Sequence, residues 1–439
     1  MQPAIARASA GARAPPAKSG GAMLGDFLHR FSVGGGCAGR SPAPDGGGLR
    51  SMRQKANWNY PTSVRFGAGR IAELADACKL AGMARPLIVT DPGLAAMPMV
   101  AQALGSLKVA GLGAVVFSDI KSNPVESNVA AGVAVLRSGK HDGVVAFGGG
   151  SALDVGKVIA FMSGQTRPMW DFEDVGDWWT RADPKGIAPV IAVPTTSGTG
   201  SEVGRAGVIT QEATHTKKVI FHPKMMPVVT ICDPALTLGL PAHLTAATGM
   251  DAFAHCLEAY CAPGFHPLAD GIAVEGMRLV KDNLVRAVKT GDDLEARGNM
   301  MAAAAMGATA FQKGLGAIHA LSHPIGALYD THHGLTNAVF MPYVLAFNRS
   351  VIEARVSRLA AYLGLGASFD AFQGYVLELR KEVGIPHTLS GLKVDGARET
   401  LIAEMAIVDP TAGGNPVPLD LAGARAIFQA ALSGKVGGA

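Results

Sequence analysis

The apolar positions of this 439-residue chain follow two patterns, and the change comes near residue 240. Before it, short apolar runs bounded by turn residues alternate with segments of helical spacing. Residues 60–65, 86–90, 115–117, 143–147, 188–193 and 228–232 predict strands, and residues 71–80, 125–136 and 152–161 predict helices. Residues 208–219 predict a hairpin turning at Glu212-Ala213-Thr214. Strands that alternate with helices imply a parallel sheet with ligands at its carboxyl ends. After Leu240-Pro241 the period becomes helical, over 243–260, 268–289, 294–311, 339–346, 352–363 and 369–383. Ile385-Pro386 and Asp409-Pro410 break the tail. The expected organisation is an extension at 1–51, an α/β domain at 52–240 and an all-helical domain at 241–439.

Composition changes this picture at the N-terminus. Residues 1–51 hold eleven glycines and five prolines, with six basic residues against two acidic ones. That segment alone accounts for the net charge of +4, so residues 52–439 sum to zero and offer no basic surface for nucleic acid. The segment is expected to be disordered, and is read either as an organelle transit peptide or as translation mis-assigned upstream of Met52. No apolar run approaches the roughly 20 residues of a membrane span. Five irregularly spaced cysteines form neither a disulfide framework nor a CxxC pair. A cytoplasmic location is expected, or a mitochondrial one if residues 1–51 are a transit peptide.

The candidate chemistry lies in two places. In the first half, the strand at 143–147 runs into Gly148-Gly149-Gly150-Ser151 and then a helix carrying Asp154. Bare backbone N–H groups at a helix N-terminus are suited to a pyrophosphate. A second loop of small hydroxyl residues, Pro194 to Glu202 with Thr195, Thr196 and Thr199, offers phosphate or ribose contacts, or a helix cap. Asp91 ends the strand at 86–90, where a carboxylate can accept ribose hydroxyls and disfavour a 2′-phosphate. Between the loops lies a Trp-rich insertion, 170–180, open to reading as a lid, an adenine-side wall or a subunit contact.

In the second half, four of the twelve histidines fall between His319 and His333. His319 and His323 share one helical face, and the helix is expected to bend or end near Pro324, bringing His332 and His333 on a loop. Asp251 and His255 share a face of another apolar helix. A buried carboxylate must be paired or bound to a cation, and one carboxylate with three imidazoles makes an N3O site for a divalent metal.

GGGSALDVGK, PTTSGTGSE, GMDAFAH and HALSHPIGALYDTHHG, in this order, resemble the iron-containing (group III) alcohol dehydrogenases across about residues 58–430. The resemblance implies a dehydroquinate synthase-like architecture. It implies a metal in the cleft between a dinucleotide-binding α/β domain and a helical domain, and a homodimer or higher oligomer. It assigns the metal to Asp251, His255, His319 and His333. His323 falls beside nicotinamide and substrate as a catalytic candidate, and His332 stands where many members have proline. Gly148, Gly149, Gly150, Ser151 and Asp154 match the pyrophosphate turn, Thr195, Thr196 and Thr199 the second loop, and Lys217 and Asn123 further cofactor contacts. Lys218 leaves the Lys217 match uncertain by one position. The implied activity interconverts a small alcohol and its aldehyde or ketone with NAD and a divalent metal, Fe²⁺ ahead of Zn²⁺. Hydroxy acids are also open as substrates, and a hydroxyacid–oxoacid transhydrogenase or a metal-dependent lyase on the same fold is the alternative.

Overall fold

In a computed structural model of the chain, residues 56–58 and 62–437 are described. The extension expected at 1–51 lies outside them. Strands β1 Ala56–Trp58, β2 Ser63–Phe66, β3 Pro86–Val89, β4 Val115–Phe117, β5 Gly143–Gly148, β6 Val190–Pro194 and β9 Val229–Cys232 form one sheet in the order β1-β2-β9-β6-β5-β3-β4. β1 pairs antiparallel with β2, and the other six strands are parallel. β7 Ala206–Gln211 and β8 Thr216–Phe221 make a separate antiparallel hairpin, as the sequence predicts.

The parallel strands are apolar without a break because both faces are covered. Leu87, Val89, Val144, Ala146, Val190 and Ala192 pack on one side beneath α4 Glu126–Ser138 and α5 Gly150–Met162. Their alternating neighbours Ile88, Val145, Phe147, Ile191 and Val193 pack on the other, beneath α1 Leu74–Leu80 and α3 Pro98–Val109; the short α2 Pro92–Ala95 lies between β3 and α3. Each fully buried Val, Leu, Ile or Phe among these contributes about 1.5–3 kcal/mol. The chain runs outward from β3 to β4, then returns to β5 and proceeds the other way through β6 and β9. Strand order therefore reverses between β3 and β5, which opens a crevice at their carboxyl ends.

From residue 242 the described chain is helical: α6 Ala242–Cys261, α7 Pro267–Lys289, α8 Leu294–Ala310, α9 Ala317–Tyr329, α10 His333–Tyr362, α11 Phe369–Glu382, α12 Glu399–Ile407 and α13 Leu421–Ser433. Two expectations about boundaries are corrected. α9 does not end at Pro324 but runs through it to Asp330, whose left-handed conformation (φ 52°) stops it. The helices expected at 339–346 and 352–363 are one element of 30 residues, α10, beginning at His333. Pro342 within it cannot donate to the Ala338 carbonyl. The buried Arg380 supplies that missing donor, with Nη1 3.1 Å from the Ala338 oxygen and 2.8 Å from that of Val339. Asn348, a polar interruption in the same stretch, is buried in a two-way amide pair with Asn415, at 2.9 and 2.8 Å. No helix among the described residues is long and apolar enough to cross a membrane.

Candidate active site

The Gly148–Ser151 turn sits at the strand reversal. Gly148 closes β5 with φ 150°, and a Cβ there would lie 2.7 Å from that of Ala152 and 3.5 Å from Asp91 Oδ2. Only glycine lets α5 start this close to its strand. Asp91 caps α2, its Oδ1 accepting from Leu94 N at 2.9 Å. The second loop is packed on the first: the Thr195 amide donates to the Gly148 carbonyl (3.0 Å), and a Cβ on Gly150 would lie 2.6 Å from Thr199 Cγ2. A Cβ on Gly149 would meet Thr196 Cγ2 at 3.4 Å. Ser151 Oγ donates to the Ser122 carbonyl at 2.5 Å, and Asn123 Nδ2 to Asp330 Oδ1 at 2.5 Å, tying this turn to the end of α9. The loop also meets the helical half directly, since a Cβ on Gly198 would touch Thr248 of α6 and one on Gly200 would touch Ala304 and Ala308 of α8.

On α6, Asp251 and His255 face α9 and α10, and both are buried. Asp251, His255 and His319 offer ligand atoms within 4.8 Å of one another. His333, the first residue of α10, approaches Asp251 Oδ1 to 3.9 Å through Nε2 but lies outside that group. The amide of Asn337, one turn along α10, fills the intervening space. Its Nδ2 is 2.7 Å from Asp251 Oδ1, 3.1 Å from His319 Nε2 and 3.1 Å from His333 Nε2. An amide nitrogen has two hydrogens and cannot satisfy three acceptors. The Asn337 oxygen and His255 Nδ1 are buried without hydrogen-bond partners. A carboxylate and imidazole lone pairs converging around one donor suit a divalent cation.

Two residues that sequence reasoning missed complete this centre. Glu258, also buried on α6, accepts from His319 Nδ1 at 2.5 Å and from the Ile318 amide at 2.7 Å. That fixes the proton on Nδ1 and leaves Nε2 free for a metal, the usual second partner of a ligating histidine. Glu258 shares a helical face with Asp251 and His255, so an acidic residue at i+7 in an otherwise apolar helix was the available signal. Asn337 was visible only as a polar residue one turn after His333.

Burial sets the charge state of the imidazoles. It drives the His255 pKa down to about 4, against the pull of Asp251. It also carries His333 well below the usual range, with Lys217 and His319 adding to the effect. Burial also pushes His319 down, but the Glu258 carboxylate, with Asp251 and Asp409 added, more than offsets it and moves its pKa upward. Neutral His255 and His333 keep the lone pairs that a metal needs.

A family model described as "Iron-containing alcohol dehydrogenase" matches residues 61–234, and one described as "Fe-containing alcohol dehydrogenase family, C-terminal" matches residues 245–432. The chain belongs to the iron-containing alcohol dehydrogenase family. It is 40% identical to a 4-hydroxybutyrate dehydrogenase of Cupriavidus necator over 386 residues, covering 85% of this chain and 99% of that one. The solved structure of a 1,3-propanediol oxidoreductase superposes with a TM-score of 0.81 at 35% identity, covering 87% of this chain and all of that one. A sulfoacetaldehyde reductase from Bifidobacterium kashiwanohense, solved in complex with NAD+, does so at 0.77 and 28% identity, covering 87% and 99%.

As an iron-containing alcohol dehydrogenase the chain places its remaining matched residues unevenly. Both Asp154 oxygens are held by protein donors, Ser201 Oγ at 2.5 Å and the Val208 amide at 3.0 Å, so it braces the second loop against the hairpin. Lys217 and Lys218 alternate across β8. Lys218 pairs with Glu173 at 2.7 Å on the outer side. Lys217 points the other way: its Nζ lies 3.3 Å from where a Cβ on Gly326 of α9 would sit, and burial lowers its pKa while Asp154 and Asp251 pull it up. The Trp-rich insertion packs against β8, with Glu173 bridged to Ile220 and Trp179 edge-on to Phe221 and His222. Its contacts brace the strand that carries Lys217. His332 caps α10 through Nδ1, 3.4 Å from the Leu335 amide.

Proposed function

We propose that this chain is an NAD(H)-dependent dehydrogenase that interconverts a short primary alcohol and its aldehyde between its α/β half, 52–240, and its helical half, 241–439. The observation that carries this reading is the convergence of Asp251, His255 and His319 within 4.8 Å on the helical side of a glycine turn built for pyrophosphate. Asp251, His255, His319 and, after withdrawal of the Asn337 amide, His333 would hold the metal, with Glu258 setting His319. When bound, the metal supplies Lewis acidity toward the substrate oxygen and the nicotinamide supplies hydride acceptance.

The chain's own residues do the rest. The amides of the glycine turn and the threonines of the second loop hold the cofactor phosphates and ribose. Lys217 reaches toward α9 as a half-buried amine whose pKa burial lowers, and His323 is the proton acceptor in the cleft. The three relatives named above act on short molecules with a second polar group at the far end: 4-hydroxybutyrate, 1,3-propanediol and sulfoacetaldehyde. We read the substrate class as short ω-functionalised alcohols and aldehydes, hydroxy acids included, and the family resemblance supports a homodimer or larger assembly.

Metal analysis of protein purified without oxygen, paired with NADH oxidation over 3-hydroxypropanal, 4-oxobutanoate and short alkanals, tests this. Near-stoichiometric Fe or Zn with turnover is the expected result. Bound metal without NADH turnover would move the assignment to a transhydrogenase or lyase. Cofactor choice has its own test. The Asp91 carboxylate, fixed by Leu94 N and 3.5 Å from the Cβ position of Gly148, disfavours a 2′-phosphate. Asp91→Gly is expected to raise kcat/KM for NADPH relative to NADH by about 10-fold or more, equivalent to about 1.4 kcal/mol. An unchanged ratio removes Asp91 as the discriminator.

A further inference from the structure

His323 lies one turn beyond His319 on α9, but its partner comes from far along the chain. Asp409, just after α12, accepts from His323 Nδ1 through Oδ2 at 2.8 Å. The other oxygen, Oδ1, accepts from the Thr411 amide at 2.9 Å and from Thr411 Oγ1 at 2.6 Å. The Asp409 side chain is 7% exposed against 15% for His323, so the carboxylate is the more enclosed of the two and the ring keeps some exposure. A neutral imidazole has one N–H, and a carboxylate at Nδ1 places it there. The lone pair is then on Nε2. Among the described residues Nε2 has no hydrogen-bond partner, and it is not sealed from solvent. The ring is also restrained sideways, stacked on His333 at 5.3 Å and 16° and edge-on to His319 at 5.9 Å.

We propose that Asp409, clamped by Thr411, is the positioning residue for His323, holding its ring so that Nε2 faces the cleft as the acceptor of the alcohol proton. The inference rests on the reading of His323 given above. It extends the active site to a loop that the metal-ligand and nucleotide motifs do not include. The alcohol O–H proton passes to Nε2, while the Nδ1 proton stays shared with Asp409 and does not transfer. Asparagine at 409 reverses the constraint. Its amide donates toward Nδ1, which moves the ring proton to Nε2 and leaves nothing there to accept a proton.

The test is a double-mutant cycle with Asp409→Asn, His323→Ala and the double variant, each checked for metal content, NADH affinity and thermal midpoint. Asp409→Asn is expected to lower kcat by about 10- to 100-fold, within the range of general acid–base contributions. KM for NADH and metal content stay at wild-type levels. The double variant is expected to be no slower than His323→Ala alone, because Asp409 acts only through that ring. Asp409→Glu, which keeps the acceptor, recovers most of the loss and guards against a variant that merely folds poorly. Losses that multiply in the double variant would overturn the proposal. So would a fully active Asp409→Asn beside a crippled His323→Ala. An unimpaired His323→Ala would instead remove His323 from the mechanism, and the positioning role with it.

Discussion

His319→Ala is expected to leave the protein folded, able to bind NADH, and nearly free of metal and activity. His319 stands at the centre of the helical site: its Nε2 converges with Asp251 and His255, and its Nδ1 is tied to Glu258. Losing one first ligand of three or four should cost more than losing an outer partner, for which about 10- to 100-fold in metal affinity is usual. The variant also leaves Glu258 buried without its strongest donor, although the Ile318 amide still binds Oε1 at 2.7 Å. Glu258→Gln is the graded companion. A side-chain amide can accept from Nδ1–H through its oxygen but adds no charge, so metal affinity should fall by about 10-fold or more while the ligands remain. Metal per chain by mass spectrometry and NADH affinity by fluorescence titration check both. Full metal content in His319→Ala would take His319 out of the ligand set.

Much of this arrangement was legible in the sequence because the relevant signals are local. A strand buried on both faces must be apolar throughout, so β3, β5, β6 and β9 stood out as short runs. The glycine turn was legible because a βα junction this tight excludes side chains. Asp251 with His255, and His319 with His323, were legible because i and i+4 share a helical face. The rest depends on contacts distant in sequence. Nothing near Pro342 announces that Arg380 will supply its missing donor. Asn348 falls in the gap left between the helices expected at 339–346 and 352–363, and its partner, Asn415, lies on a later loop. Asp409 was visible only as half of an Asp-Pro break, 86 residues from the ring that it holds. Glu258 is the instructive exception, since its face and spacing were on view, but a lone acidic residue after His255 drew no inference until His319 was seen against it.

The nucleotide half can be broken without touching the metal half, and Gly148→Ala is the substitution expected to do it. Gly148 has φ 150°, in a region an L side chain rarely adopts, and the added Cβ would lie 2.7 Å from the Cβ of Ala152 and 3.3 Å from Leu94 Cδ1. Strain of this kind costs on the order of 1–3 kcal/mol. Ala152 belongs to the rigid, buried first turn of α5, so the clash is relieved by pushing that turn off the end of β5. The amides displaced are those at the helix N-terminus, where the proposed function has the pyrophosphate charge held. A loss of about 2 kcal/mol would weaken NADH binding by roughly 30-fold. Asp251, His255, His319 and His333 hang on α6, α9 and α10, so metal content should stay at the wild-type level. With His319→Ala this makes a crossed pair, in which one variant loses metal and keeps cofactor and the other does the reverse. A Gly148→Ala protein with wild-type NADH affinity would mean that the pyrophosphate is held elsewhere. Loss of both functions together would mean that the second loop, wedged by Gly198 and Gly200 against α6 and α8, transmits the displacement into the helical half.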